Sequence, residues 1–383
     1  MKTKTPFEKA LYVKGYSIKE NKNGKKRPEI TGITSTGIKV QPTIIESLAD
    51  YISFVDKLES SFENPVFYRG HGNATFTLNP YVLRSNVEKE HLFLENFERN
   101  FSTEMNSCKT NIEKLALMQH FGLRTRALDI SESALVSLYF ACSPMKKFNT
   151  HPEEEKKCWG EVLVFRNPEE KRESKIDNIK TMKSPTISII AGTAFMEREF
   201  SLWQLGMEWK KDNNYMREEI HLPLKDILCR STIVRLPMTN QRISNQRGAF
   251  IMVNANEITS INGNTEKTED LFDYIMNGEN ITFDHLYKIS PWRKHFRGMD
   301  TWELKFKKVI PYSDENKIKQ FRIDPFDIQR LFYRDKNGVQ QVALIPPEKK
   351  DDIIKELEKL CITEAFIYPD MDNVANEINN QLL

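Results

Sequence analysis

Across 383 residues the chain holds only five cysteines, Cys108, Cys142, Cys158, Cys229 and Cys361, and no two stand at metal-binding spacing. That odd, scattered set excludes a disulfide framework and a zinc knuckle, and it fits a cytoplasmic setting. No apolar run approaches the roughly 20 residues a membrane helix needs, so no membrane association is expected. The opening MKTKTPFEKALYVKGYS lacks a secretory apolar segment. Charge of one sign is missing too: the formal net charge is +2, which excludes a global basic field for nucleic acid and leaves only local patches. Internal repeats and low-complexity tracts are absent, so a solenoid is excluded.

What is present suits a soluble protein with a real core. Hydrophobic residues make up 39%, aromatics 10% and charged residues 29%, and the mean hydropathy is −0.55. The length allows one large domain or two ordinary ones. The most informative stretch is Leu115–Cys142, LALMQHFGLRTRALDISESALVSLYFAC. Gln119, His120, a Gly122 turn, Thr125, Arg126 and Asp129 crowd together there, and an apolar run from Ala134 to Cys142 follows. So many polar groups between greasy segments mean either a site or a buried network in which Arg126 and Asp129 pair to fix a turn.

Upstream, Pro65–Gly72 reads PVFYRGHG. An apolar run stops there at an arginine followed by glycine. Arginine carries the fork that matches phosphate oxygens two at a time, and glycine lets a backbone come close to a ligand. Further on, Arg242, Gln246, Gly248 and Phe250 form a turn that enters a strand.

These stretches together resemble the FRG domain, a bacterial family named for a Phe-Arg-Gly strand end. The matching residues are Tyr68–Arg69–Gly70, Gln119–His120–Phe121–Gly122, Thr125–Arg126, Leu128–Asp129 and Leu138–Tyr139–Phe140–Ala141. Arg242, Gln246, Gly248 and Phe250, which match a further family pattern, and the ending Tyr368–Ile378 extend the resemblance over roughly residues 44–380. Two positions depart from it: Arg124 stands for the family's proline, and Ile130 for an aromatic.

The organisation expected is a small β-rich extension over 1–43 and one FRG domain over 44–383, with variable insertions at 166–230 and 260–300. Asn23–Gly24 marks a hairpin in the extension. Helices are expected over Ile44–Leu58, 87–118, Pro347–Leu360 and Asp370–Leu382. Strands are expected at Pro65–Arg69, Gly160–Phe165, Ile233–Pro237, Phe250–Val253, Leu331–Arg334, Val339–Ile345 and Ile362–Pro369. The stripe Phe93, Phe97, Phe101 reads as core.

The strand end at Arg69–Gly70 is also similar to the first catalytic strand of ADP-ribosyltransferases, and Leu138–Ala141 to their tyrosine-phenylalanine strand. That resemblance implies an α+β fold with a mixed, split central sheet flanked by helices, in which the strands ending at Arg69, Tyr139 and Phe250 are neighbours. It further implies NAD as substrate, with Arg69, Asp129 and Gln246 as catalytic residues. Gly70, His71, His120, Thr125, Arg126 and Tyr139 would hold the NAD. The FRG resemblance implies a bacterial anti-phage or toxin effector, here one acting on RNA, other nucleic acid or protein, with a possible antitoxin or chaperone partner. Such transferases place a glutamate where Gln246 stands, so a non-catalytic nucleotide-binding module and a nuclease using His71, His120 and Asp129 stay open beside it. No paired acidic metal motif is present, and no metal site is expected.

Overall fold

A computed structural model of the chain describes residues 14–20, 26–30, 37–61, 64–78, 89–143, 157–167, 185–197, 199–201, 222–223, 231–236, 241–253, 256–262, 280–281, 303–308 and 327–369, with isolated positions at 32, 34, 80, 82 and 204. The N-terminal half contributes β1 (Tyr16–Glu20), β2 (Lys26–Ile30), β3 (Val40–Ile44), α1 (Leu48–Asp56), β4 (Phe67–His71), α2 (Glu90–Asn100), α3 (Ser102–Ser107), α4 (Asn111–His120), β5 (Ala127–Ser131), α5 (Ala134–Cys142) and β6 (Gly160–Phe165). Next come α6 (Pro185–Gly192), β7 (Glu199–Ser201), β8 (Leu222–Pro223), β9 (Thr232–Arg235), α7 (Gln241–Gln246), β10 (Gly248–Met252), β11 (Asn256–Asn262), β12 (Asn280–Ile281) and β13 (Glu303–Lys308). The chain then adds β14 (Gln340–Ile345), α8 (Lys350–Glu358) and the single turn α9 (Glu364–Ile367).

Seven strands form one open mixed sheet in the order β3-β14-β6-β4-β5-β10-β9. Only β3 and β14 run parallel; the other ladders are antiparallel. The two-residue period of a strand splits its side chains between two cores. Phe67, Leu163, Phe165, Val342 and Leu344 pack on one face, with Leu128 and Ile130 of β5. Tyr68, Val162, Val164, Ala343 and Ile345 pack on the other, against α1, α5 and α8. β6 is buried at every position, which is why GEVLVF, Glu161 apart, reads as an apolar run rather than an alternating one.

The expected strand through Tyr139 is instead helix α5. Ser133 caps it, its side chain accepting from Val136 N–H at 3.4 Å. A nine-residue run with no polar residue but one serine has no period to separate helix from strand. Glycine decides where the helix sits. A Cβ at Gly70 of β4 would meet Ala141 N at 2.8 Å and Phe140 Cβ at 2.9 Å, and would collide with Ser137 O. A Cβ at Gly160 of β6 would collide with Ala141 O. The helix therefore lies directly on two neighbouring strands. Gly70 serves that packing, and the approach expected there for a ligand is taken by α5.

Other expectations shift in smaller ways. The helix expected over 87–118 is broken into α2, α3 and α4, with Thr110 and Glu113 restarting it through a capping box. The phenylalanine stripe is core only at its start: Phe93 packs on the sheet core, whereas Phe101 is 46% exposed and stacks with Phe97 and Phe121. Residues 364–367 form the turn α9, capped by Thr363, where a strand was expected. Leu331 closes a 3₁₀ turn, and Phe332 and Arg334 make isolated bridges rather than a strand. β1 and β2 pair as the hairpin signal implies; its Asn23–Gly24 turn lies outside the described residues. The closing helix at 370–382 lies outside them too.

Candidate functional site

The strand that ends PVFYRGH is paired unequally with its neighbours. β4 matches β6 over its whole length, from Phe67↔Phe165 to His71↔Glu161. With β5 it shares the single pair Tyr68↔Ser131, and the ladder stops there. Beyond that pair the carbonyl of Asp129 on β5 accepts from Arg69 Nη1 instead of from a β4 backbone N–H. Backbone acceptors left by a ladder need another donor, and the half-buried Arg69 supplies it.

Arg69 is held a second time. Its Nε–H donates to His71 Nε2 at 2.7 Å. Arginine Nε–H can only donate, so His71 Nε2 must be the unprotonated nitrogen. The ring proton then sits on Nδ1 and points at Glu161 Oε1, 2.6 Å away. Burial, opposed by the hydrogen bond to Glu161, lowers the His71 pKa to about 4. Near neutrality the His71–Glu161 contact is accordingly a hydrogen bond and not an ion pair.

Glu161 is fully buried in β6, where burial alone would raise its pKa. The Lys14 charge and the His71 hydrogen bond outweigh that and hold it low. Lys14 Nζ donates to Oε1 and Tyr16 Oη to Oε2. The same ammonium donates to the carbonyls of Ala74 at 3.1 Å and Phe76 at 2.7 Å, and buried Lys350 donates to that of Gly72 at 2.6 Å. Two lysines thus clamp the loop that follows Arg69.

On the neighbouring strand, exposed Asp129 accepts at Oδ1 from Gln119 Nε2, 2.7 Å away. Gln119 Oε1 in turn accepts from buried Thr125. Gly122, at φ 85°, makes the turn that brings Gln119 back over β5. Arg242 places its guanidinium 5.0 Å from the centre of the Tyr368 ring, which meets Phe140 edge-on at 6.3 Å. Burial raises the Tyr368 pKa; Arg242 lowers it and the charge of Asp129 raises it further.

Several expected members stand elsewhere. Arg126 is 1% exposed and bonded bidentately to Glu90, Nε to Oε1 at 2.9 Å and Nη2 to Oε2 at 2.5 Å, with Thr193 as a further partner. It does not pair with Asp129. Three residues along an extended chain is an odd step, which sends the two side chains to opposite faces. Tyr139 is buried on α5. Burial raises its pKa, and it packs edge-on to Phe140. Gln246 ends α7, and its Nε2 donates to the Ile367 carbonyl at 2.9 Å, beside Asn245 Nδ2 on the Phe366 carbonyl at 2.7 Å. Both amides tie α9 down, so the Gln246 amide N–H serves the fold. Arg247, at φ 45°, turns the chain from α7 into β10. His120 ends α4, half-buried and edge-on to Phe121 at 5.1 Å.

Arg69 and Phe250 lie on strands that both border β5 rather than each other. Lys14, Tyr16, Glu161 and Glu90 entered no sequence expectation. Only Glu161 left a signal, a carboxylate inside an apolar strand, which demands a partner. Arg84, Trp203 and the basic-aromatic run Trp292–Arg297 lie outside the described residues. Among the described residues no group of three or more His, Cys, Asp or Glu side chains is arranged to hold a metal ion, and no helix is long and apolar enough to cross a membrane. No curated protein and no solved structure matches the chain. A family model, the FRG domain, matches residues 64–150, the segment carrying Arg69, His71, Gln119 and Asp129.

Proposed function

We propose that this protein is a defence or toxin-type effector that uses NAD and transfers its ADP-ribose group to RNA, to other nucleic acid or to protein. One observation carries the reading: Arg69 is oriented by His71 and by the Asp129 carbonyl at the place where β4 and β5 cease to pair. An arginine already fixed by its own fold loses little freedom on binding, and its fork suits a pyrophosphate. Asp129 supplies a carboxylate on the residue whose carbonyl holds that fork, oriented by Gln119.

In the transfer, the bond between C1′ of the ribose and the nicotinamide nitrogen breaks. Its electron pair leaves with nicotinamide, which becomes neutral. A lone pair on the acceptor forms the new bond at C1′, and the acceptor's proton passes to Asp129 and then to water. The Asp129 charge also offsets the positive charge that builds on the ribose. His71, whose pKa is about 4, stays neutral throughout and serves Arg69 rather than the proton. An antitoxin or chaperone would be expected beside such an effector.

A second reading, a module that holds a nucleotide without turning it over, draws support from Gln246, whose amide N–H is committed to Ile367. Incubating the full chain with labelled NAD and cell lysate separates the readings. Label in RNA, DNA or protein supports transfer; NAD binding without transfer supports the module. Degraded nucleic acid without label points to the nuclease. No binding and no transfer would overturn the NAD reading.

A further inference from the structure

The N-terminal segment reaches into the candidate site from below. Lys14 and Tyr16 occupy both oxygens of Glu161, and Glu161 holds His71 by the nitrogen that does not face Arg69. None of the three lies within the segment that matches the FRG family model.

We infer that Glu161, charge-balanced by Lys14, is the positioning residue of this site: by accepting the Nδ1–H of His71 it fixes the one tautomer that can receive Arg69 Nε–H, and so aims the Arg69 fork. The inference rests on the reading of Arg69 as an anion-binding group, although its geometric half stands apart from that reading. Each link follows from donor and acceptor chemistry. Arg69 Nε–H has no acceptor capacity and needs a lone pair. His71 offers one at Nε2 only when its proton is on Nδ1. A buried Nδ1–H needs an acceptor, and Glu161 Oε1 lies 2.6 Å from it. Glu161 stays ionised in a fully buried position because Lys14, itself 1% exposed, sits against it. The charged and titratable groups facing His71 are therefore Arg69 on its own strand, Glu161 on β6 and Lys14 on the N-terminal segment. Without Lys14 the carboxylate would be a lone buried charge. The N-terminal segment thus completes the site that β4 begins.

Two charge-neutral variants, which differ at position 161 by one carboxamide, test the inference. In Lys14→Met/Tyr16→Phe/Glu161→Leu, the Nδ1–H of His71 loses its acceptor. In Lys14→Met/Tyr16→Phe/Glu161→Gln, an amide oxygen remains to take it. Both replace a buried polar cluster by groups of similar volume, and far-UV circular dichroism with thermal melting checks that each is folded. The first readout is the ¹⁵N spectrum of the His71 ring, with the coupling across the hydrogen bond between Arg69 Nε and His71 Nε2. The native chain and the glutamine variant are expected to show Nδ1 protonated and the coupling present; the leucine variant is expected to lose both. The second readout is NAD affinity, expected to fall roughly tenfold or more in the leucine variant and to be rescued by glutamine.

A native His71 protonated on Nε2, or a folded leucine variant that keeps the coupling or the native affinity, overturns the inference. If glutamine fails to rescue, the acceptor oxygen is not what matters, and the inference falls as well. A native chain that binds no NAD but shows the tautomer and the coupling, with both lost only in the leucine variant, refutes the NAD reading and leaves the positioning role standing.

Discussion

Arg69 Nε donates to His71 Nε2 at 2.7 Å across one intervening residue, so two side chains on the same face of β4 make a single unit. That unit is what the rest of the site is built to hold, and its chemistry sets the response of the fold to acid.

His71 titrates near 6.5 when unfolded and near 4 in the fold, so between those values the unfolded chain binds the extra proton. Stability is complete above pH 6.5 and is lost as the pH falls toward 4, by about 1.4 kcal/mol per pH unit and about 3 kcal/mol in all. Glu161, held below its ordinary value by Lys14 and His71, adds a loss of the same sign at the acid end. Urea denaturation across that window should show the fall, and His71→Gln should make it shallower. A slope unchanged by the substitution would mean that His71 is not the buried neutral base described.

Gly70 and Gly160 carry the seat of α5. Gly70→Ala should destabilise by several kcal/mol, because the obstruction is helix backbone and cannot rotate away. Denaturant midpoints measure it; a cost under about 1 kcal/mol would show that the helix does not rest on the strand as described.

Arg126 and Glu90 are a buried pair at a distance from the chemistry. Arg126→Met alone should cost about 3–5 kcal/mol by leaving Glu90 charged and alone. The double change Arg126→Met/Glu90→Met should recover most of that. A destabilised single variant that is not repaired by the double one would assign the role to Thr193 and the backbone instead.

Asp129→Asn should leave thermal stability within about 1 kcal/mol of the native chain, since the side chain is exposed and Gln119, whose amide donates to it, can still hydrogen-bond an amide. Transfer of ADP-ribose should be lost. Full transfer by a folded Asp129→Asn protein would remove the residue from the chemistry.

Much of the framework was legible in the sequence. The strands through Arg69 and Phe250 follow from apolar runs that meet Arg-Gly and Gln-Arg-Gly, and both flank Asp129, although β4 runs Phe67–His71 where Pro65–Arg69 is expected. The site's supports were harder to read. Lys14 meets Ala74 across 60 residues, and no local pattern encodes such a contact. The run at Tyr139 is apolar all round, so nothing in its spacing separates a buried strand from a buried helix. Gly70 was assigned to a ligand because glycine signals a close approach, yet what approaches is the backbone of α5. Arg126 and Asp129 are near in sequence, but the strand period parts them.

The most direct test of the central claim is titration of NAD into the native chain and into Arg69→Lys, with melting temperature recorded for both. Lysine keeps the positive charge and loses the fork and the Nε–H that His71 receives. The account predicts NAD binding by the native chain, at least about tenfold weaker binding by the lysine variant, and little change in melting temperature. Equal affinity in the two proteins would contradict it.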